Sequence, residues 1–386
     1  MSRIFVLALI GACASTVLAS AQAAPSQTEV SQQIQTTRSP VAYVYVASAP
    51  TSGSSEINAY AVSSTGALTT VAGSPFASTA SNLALTAHWL FGTNGIDIFS
   101  YSIASDGAIR QVDSYTAGTN YGGPVLLFLD HTGATLYDGY ANLHGTDDNG
   151  YQSYTINKST GKITLLNEAG SSPTVGDVLN FVGSNEYGYS SSCYQFTPII
   201  YGFKRNSAGS LTELNVHPAL PVPPANDFYC PYLAAADPTD HVAVPVQALN
   251  GSSFQPDGQP QIAVYTADSS GNLITASTST NMPKTSVTSV TAMSMAPSGK
   301  LLAVGGTTGL QVFHFNGASQ VSHYTGLLTG KQIDQMFWDN ANHLYAISRS
   351  AGKLYVFTVT PTSYSQAAGS PHSMTTPEAI IVLPKT

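Results

Sequence analysis

His144 and Arg349 are the residues of this chain best suited to hydrolysis. A hydrolytic site needs a base or water-orienting group, a role for His144. It also needs a cation to hold a developing oxyanion, a role for Arg349. Asn120, Tyr121, Asp147, Asp148, His217, Asp227 and His372 are further candidates for touching a ligand. The plainer reading of the whole set is solvated loop residues. Asp147-Asp148-Asn149-Gly150 carries oxygen ligands suited to Ca²⁺, but it lacks the spaced acids and closing Glu of an EF-hand loop. A β-turn explains it more simply. Ser159-Thr160-Gly161-Lys162 and Ser350-Ala351-Gly352-Lys353 match the S-x-x-K spacing of a nucleophilic serine. Both fall in hairpin turns, and the repetition argues for turn chemistry. The sequence has no G-x-S-x-G elbow, P-loop or H-E-x-x-H motif, and no C-x-x-C pair or paired histidines. No metal site and no cofactor are expected.

Composition narrows the function classes. Only 9% of the 386 residues are charged, the formal net charge is −8, and Tyr alone occurs 21 times. The acidic excess is dispersed and no basic patch exists, which argues against nucleic-acid binding by phosphate neutralisation. Glu, Lys, Arg and Leu are scarce, and polarity comes from Ser, Thr, Asn, Gln and Gly. That favours strands and turns over helices.

The first residues read as an export signal spanning 1–23. Arg3 gives the positive start, Ile4–Ile10 opens an apolar run, and Ala21-Gln22-Ala23 is a small-x-small cleavage site. A membrane anchor is the alternative, but Gly11, Ser15 and Thr16 break the run, and no later segment is apolar enough to span a bilayer. Leu9-Ile10-Gly11-Ala12-Cys13 also resembles a lipidation site, with little apolar sequence before Cys13. Residues 24–40 are polar and aperiodic, and read as a flexible leader. The expected location is periplasmic, extracellular or on the cell surface.

The elements that must position the candidate residues are short strands. Val41 to Phe76 parses as Tyr43–Ala47, Ile57–Val62 and Leu68–Gly73, with a tight turn at Ser63-Ser64-Thr65-Gly66 and a stop at Gly73-Ser74-Pro75-Phe76. A Gly followed within two residues by an apolar residue recurs at Gly66, Gly107, Gly161, Gly209 and Gly271, with a weaker copy at Gly317. Each follows an aromatic or apolar strand. Between them lie strand–turn–strand pairs such as 125–139, 232–246, 292–306 and 335–348. The unit is four antiparallel strands, here A to D, with the spacing of a propeller blade. The first unit lacks strand A, and Glu378–Leu383 is an A-type strand with nothing after it. Joining them closes a ring of seven blades and removes exposed edges.

Residues 57–76, Ala296–Val304 and Gly369-Ser370-Pro371-His372 resemble the YVTN and lactonase-like seven-bladed propellers. The resemblance covers 41–386 as one all-β domain and speaks to fold more than to activity. It implies lactone hydrolysis as one activity to weigh, with His144 and Arg349 meeting across the channel. Where the family tends to show Ser-Pro-Asp-Gly, this chain has Asp130-His131-Thr132-Gly133, Asp237-Pro238-Thr239-Asp240 and Trp338-Asp339-Asn340-Ala341. A phosphorylated sugar acid would need several cations. After the signal only Arg38, Arg110, Arg205 and Arg349 are arginines, and Arg110 and Arg205 adjoin C–D turns.

In such a blade the B–C and D–A connections share one face, and the A–B and C–D turns share the other. The candidate residues fall on the B–C/D–A face. His88, His131, His241 and His343 fall at A–B turns, where their recurrence points to turn and inter-blade packing. Cys193 and Cys230 fall on the B–C/D–A face of adjacent blades. That makes a disulfide geometrically plausible, with two separate buried thiols as the alternative. A charge-poor, Tyr- and Asn-rich surface suits a non-catalytic module that binds a protein, peptide or glycan. Lactone hydrolysis is the rival expectation, and a structural repeat of a surface layer is a third.

Overall fold

The computed structural model describes residues 39–49, 54–117, 126–140, 150–169, 179–182, 186–319 and 321–385. The expected signal, Cys13 and nearly all of the leader lie outside them.

Strand Ala42–Ser48 shows why the chain folds as it does. All seven of its residues are buried. Tyr43, Tyr45 and Ala47 point into one apolar cluster, and Ala42, Val44 and Val46 into another. A strand alternates its side chains between two faces, so this strand packs on both neighbours at once. The same holds around the molecule. Buried apolar side chains of the described residues form seven clusters, and each is shared by two adjacent blades.

The seven sheets are antiparallel. Blade one runs Pro377–Pro384, Ala42–Ser48, Glu56–Val62, Leu68–Thr70. Blade two runs Asn82–Leu85, Trp89–Thr93, Asp97–Ile103, Ile109–Thr116. Blade three runs Leu126–Leu129, Thr135–Tyr140, Gly150–Ile156, Ile163–Ala169. Blade four runs Asn180–Phe181, Tyr187–Ser192, Ile199–Arg205, Leu211–Glu213. Blade five begins with Asp227–Pro231 and Ala235–Ala236 and continues through His241–Asn250, Gln261–Ala267, Leu273–Thr275. Blade six runs Val290–Met295, Leu301–Gly306, Gly309–His314, Ser322–His323. Blade seven runs Gln335–Trp338, His343–Ser348, Lys353–Val359, Tyr364–Gln366. Strand Pro377–Pro384 pairs with Ala42–Ser48 from Ala42↔Pro384 to Ser48↔Pro377, closing the ring as expected. Among the described residues no helix is long and apolar enough to cross a membrane.

Two details differ from the sequence reading. The third strand stops at Thr70, short of Gly73, because Ser74 folds back and its Oγ accepts the Ala59 N–H at 2.9 Å. Phe76–Ala77 then pairs with Glu56–Ile57. Gly369-Ser370-Pro371-His372 repeats this arrangement, with Ser370 Oγ accepting the Val356 N–H at 2.8 Å and His372 paired to Leu354. Asp227 and Cys230 belong to the first strand of blade five rather than to a connecting loop, since their backbones pair with Asn250 and Gln247.

Neighbouring blades are keyed together at the recurring glycines. Gly107, at φ +86°, lies so close to the Tyr43 ring of the preceding blade that an added Cβ would stand 2.4 Å from it. The Tyr45 hydroxyl donates to the Gly107 carbonyl at 3.0 Å. Tyr137 and Tyr189 donate in the same way to the carbonyls of Gly209 (2.8 Å) and Gly271 (2.6 Å).

Candidate functional site

Arg349 stands in the B–C turn of blade seven. Its Nη2 is 2.7 Å from Glu378 Oε2 and also donates to the Glu378 carbonyl at 3.3 Å. Its backbone N–H donates to Asp334 Oδ2 at 2.6 Å, and Gln332 Nε2 donates to the other oxygen of Asp334 at 2.8 Å. Glu378 belongs to the strand that closes blade one, so this ion pair ties blades seven and one together. The guanidinium is half exposed, but a carboxylate already neutralises it. Glu378 escapes a search along the sequence because closure of the ring brings it to Arg349, and Asp334 because the pairing of strands A and B in blade seven does so.

The other described candidates, His217, Asp227 and His372, have partners other than Arg349. His217 Nε2 is 3.8 Å from Glu213 Oε1, and its ring stands edge-on to Tyr201 at 5.9 Å. Both partners belong to blade four. His372 occupies the place that Phe76 takes in blade one, and burial lowers its pKa. His144, Asn120, Tyr121, Asp147 and Asp148 lie outside the described residues, and with them the His144–Arg349 pair and the Asp147–Gly150 turn. Among the described residues no three His, Cys, Asp or Glu side chains are grouped to hold a metal ion.

A buried acid that the sequence reading passed over lies in blade three. Asp138 is 1% exposed and accepts bonds from the Gln152 N–H (2.9 Å) and the Tyr154 hydroxyl (2.8 Å). Burial pushes its carboxyl up to about 6, against the lowering effect of those two bonds. The Tyr154 oxygen also touches Gln152 Oε1, while Gln152 Nε2 donates to Glu168 at 3.1 Å and so fixes the amide orientation. One hydroxyl proton cannot serve two acceptors. A proton on Asp138 resolves this, because Asp138 then donates to Tyr154 and Tyr154 to Gln152. The carboxyl is sealed from solvent, so it acts on the fold rather than on a substrate.

On the opposite face, Asp237 and Asp339 each bind the histidine four residues later. His241 Nδ1 lies 2.9 Å from Asp237 Oδ2 and His343 Nδ1 lies 2.7 Å from Asp339 Oδ2. Asp130 fills the same turn position but pairs with Arg205 of the next blade at 2.5 Å. These groups brace turns and blade contacts.

Cys193 and Cys230 form a disulfide with their Cα atoms 5.3 Å apart. It joins the B–C turn of blade four to the first strand of blade five. Beside it three phenylalanines from three chain segments meet. The rings of Phe196 and Phe254 are 4.5 Å apart at 34°, and Phe228 lies 6.1 Å from Phe254. Phe196 is 50% exposed and Phe254 43%. Gln195, Phe196, Asn226 and Phe254 all hold positive φ, between 49° and 70°. The loop of Phe254 is pinned by Asn250 Oδ1, which accepts the N–H groups of Ser252 and Ser253 at 3.0 Å each.

Seven four-stranded blades, closed by the last strand on the first, define a seven-bladed β-propeller. Solved structures of lactonase-like propellers share this fold. A Lactobacillus plantarum protein has 14% identity and a TM-score of 0.63, over 89% of this chain and 99% of its own. A Bacteroides fragilis protein provisionally named a 6-phosphogluconolactonase has 14% identity and a TM-score of 0.60, over 89% and 98%. A Bacteroides uniformis protein with the same provisional name has 12% identity and a TM-score of 0.64, over 90% and 100%. At such identities the likeness is one of fold. No family model matches the sequence, and no curated protein is similar to it.

Proposed function

We propose that this chain is an exported, non-catalytic binding module whose contact surface is the B–C/D–A face. The observation that carries the reading is the pairing of Arg349 with Glu378 at 2.7 Å. A cation held by a carboxylate is poorly placed to stabilise an oxyanion, because the two charges largely cancel at the reacting atom. The same face instead presents aromatic rings flanked by amides and hydroxyls, the chemistry of a binding surface. The apolar run and cleavage pattern of residues 1–23 support export, and a disulfide fits an oxidising compartment.

The test is a lactone assay. The purified protein is incubated with γ- and δ-lactones, 6-phosphogluconolactone among them, at pH 6–8. Hydrolysis no faster than in buffer is expected. Turnover that disappears in both Arg349→Ala and His144→Ala would establish the lactonase alternative instead. Protein recovered from its own host should begin at Ala24, and an uncleaved N-terminus would reject the export reading.

A further inference from the structure

We infer that Phe196 and Phe254 form the stacking platform of a binding site for an uncharged sugar unit. The inference rests on the binding-module reading and names its ligand class.

Size comes first. Two half-exposed phenylalanine rings offer roughly 200 Å² of apolar surface. A stable protein partner, or a second copy of this chain, needs about 800 Å² on each side. The platform matches one small ligand with one apolar face. A pyranose has that shape, with a face of C–H bonds and hydroxyls around its edge.

Charge selects among small ligands. Between Lys162 and Lys284 the only cations are Lys204 and Arg205. Both end the C strand of blade four, away from the platform, where Lys204 lies 3.8 Å from Glu186 and Arg205 pairs with Asp130. Lys284 is exposed and bridges through its backbone to Gln261 at the end of the Phe254 loop, so this part of the fold offers a lone ammonium rather than the several cations that would hold a phosphate or sulfate. Asp227 and Asp257, beside the aromatic residues in sequence, would repel an anion but can accept from hydroxyls. The residues flanking the rings suit hydroxyls as well. Gln195, Thr197, Asn226, Ser253 and Gln255 are all exposed.

The platform is also held rigid. Non-glycine residues at positive φ are strained, yet four of them lie in these loops. Two of the four are the exposed phenylalanines themselves, which gain little by burial. Backbone strain retained around exposed apolar rings marks a site kept ready for a ligand.

The test uses the oxidised, full-length protein on an array of neutral gluco-, manno-, galacto- and chito-oligosaccharides, with sialylated and sulfated glycans beside them. Binding confined to neutral glycans is expected. Calorimetry with the best neutral hexasaccharide should show an about tenfold loss in Phe196→Ala and in Phe254→Ala. Phe196→Trp should retain binding, which separates lost stacking from misfolding. Absence of neutral-glycan binding, or a preference for charged glycans, overturns the ligand class. Neutral-glycan binding that survives both alanine variants overturns the site but leaves the binding module standing. Lactone turnover rejects that module on separate grounds.

Discussion

His343 of blade seven rests its imidazole against the backbone of Gly66 in blade one, where an added Cβ would stand 3.1 Å from His343 Cδ2. The same relation joins Tyr43 to Gly107, Trp89 to Gly161, Tyr187 to Gly271 and His241 to Gly317. In each case a residue opening a B strand meets the C–D turn of the following blade. The recurring glycine thus does two jobs. It takes the positive φ of its own turn, and it leaves room for a ring from next door.

Comparing two glycines separates those jobs. Gly107 and Gly133 both have positive φ, but only Gly107 has a neighbouring ring in the way. Gly133→Ala should cost about 1–2 kcal/mol, the conformational term alone. Gly107→Ala should cost a further 1–3 kcal/mol, roughly, for overpacking against Tyr43. Urea unfolding of the two variants measures the gap, and equal losses would remove the keying role.

The disulfide spans a sequence separation of 37. In the chain-entropy account such a link stabilises by on the order of 4 kcal/mol. The double variant Cys193→Ser, Cys230→Ser should therefore unfold at lower urea than the oxidised protein and match the reduced wild type. An unchanged midpoint would mean that the loops hold themselves without the bridge.

Asp138 should make stability depend on pH. Its folded pKa of about 6 lies above the ordinary 3.8. The folded state therefore binds the proton more tightly than the unfolded chain. The stabilisation from that proton is complete below pH 3.8 and fades as pH rises through 6, by about 3 kcal/mol in all. Asp138→Asn keeps a donor toward Tyr154 and carries no charge. It should raise stability at pH 7.5 and leave it nearly unchanged at pH 4. A variant that destabilises equally at both values would show that the carboxyl is already ionised in the fold at pH 4 and that burial does not raise its pKa.

The fold was legible because its signals are local. Strand alternation and turn glycines lie within a few residues of each other, and the first unit, lacking its own strand A, required a partner that Glu378–Leu383 could supply. What the glycines face was not legible, since Tyr43 and Gly107 belong to different blades. The pairing of Arg349 with Glu378 depends on closure of the ring. Phe196, Phe228 and Phe254 share no spacing, and three separate segments must fold before they meet. Asp138 looked like one more polar residue near a strand end. Only the covering by Gln152 and Tyr154 from the adjacent strand makes it an acid held near neutrality.

The pairing of Pro377–Pro384 with Ala42–Ser48 also sets an order of events during synthesis. The ribosome makes Ala42–Ser48 long before its partner, with the other six blades in between. Throughout elongation, one side of a strand rich in Tyr and Val has no neighbour to bond. Such an edge invites pairing with other chains. The nascent protein is therefore exposed to aggregation until the eight-residue strand Pro377–Pro384 emerges, and a holding chaperone would serve it best before then.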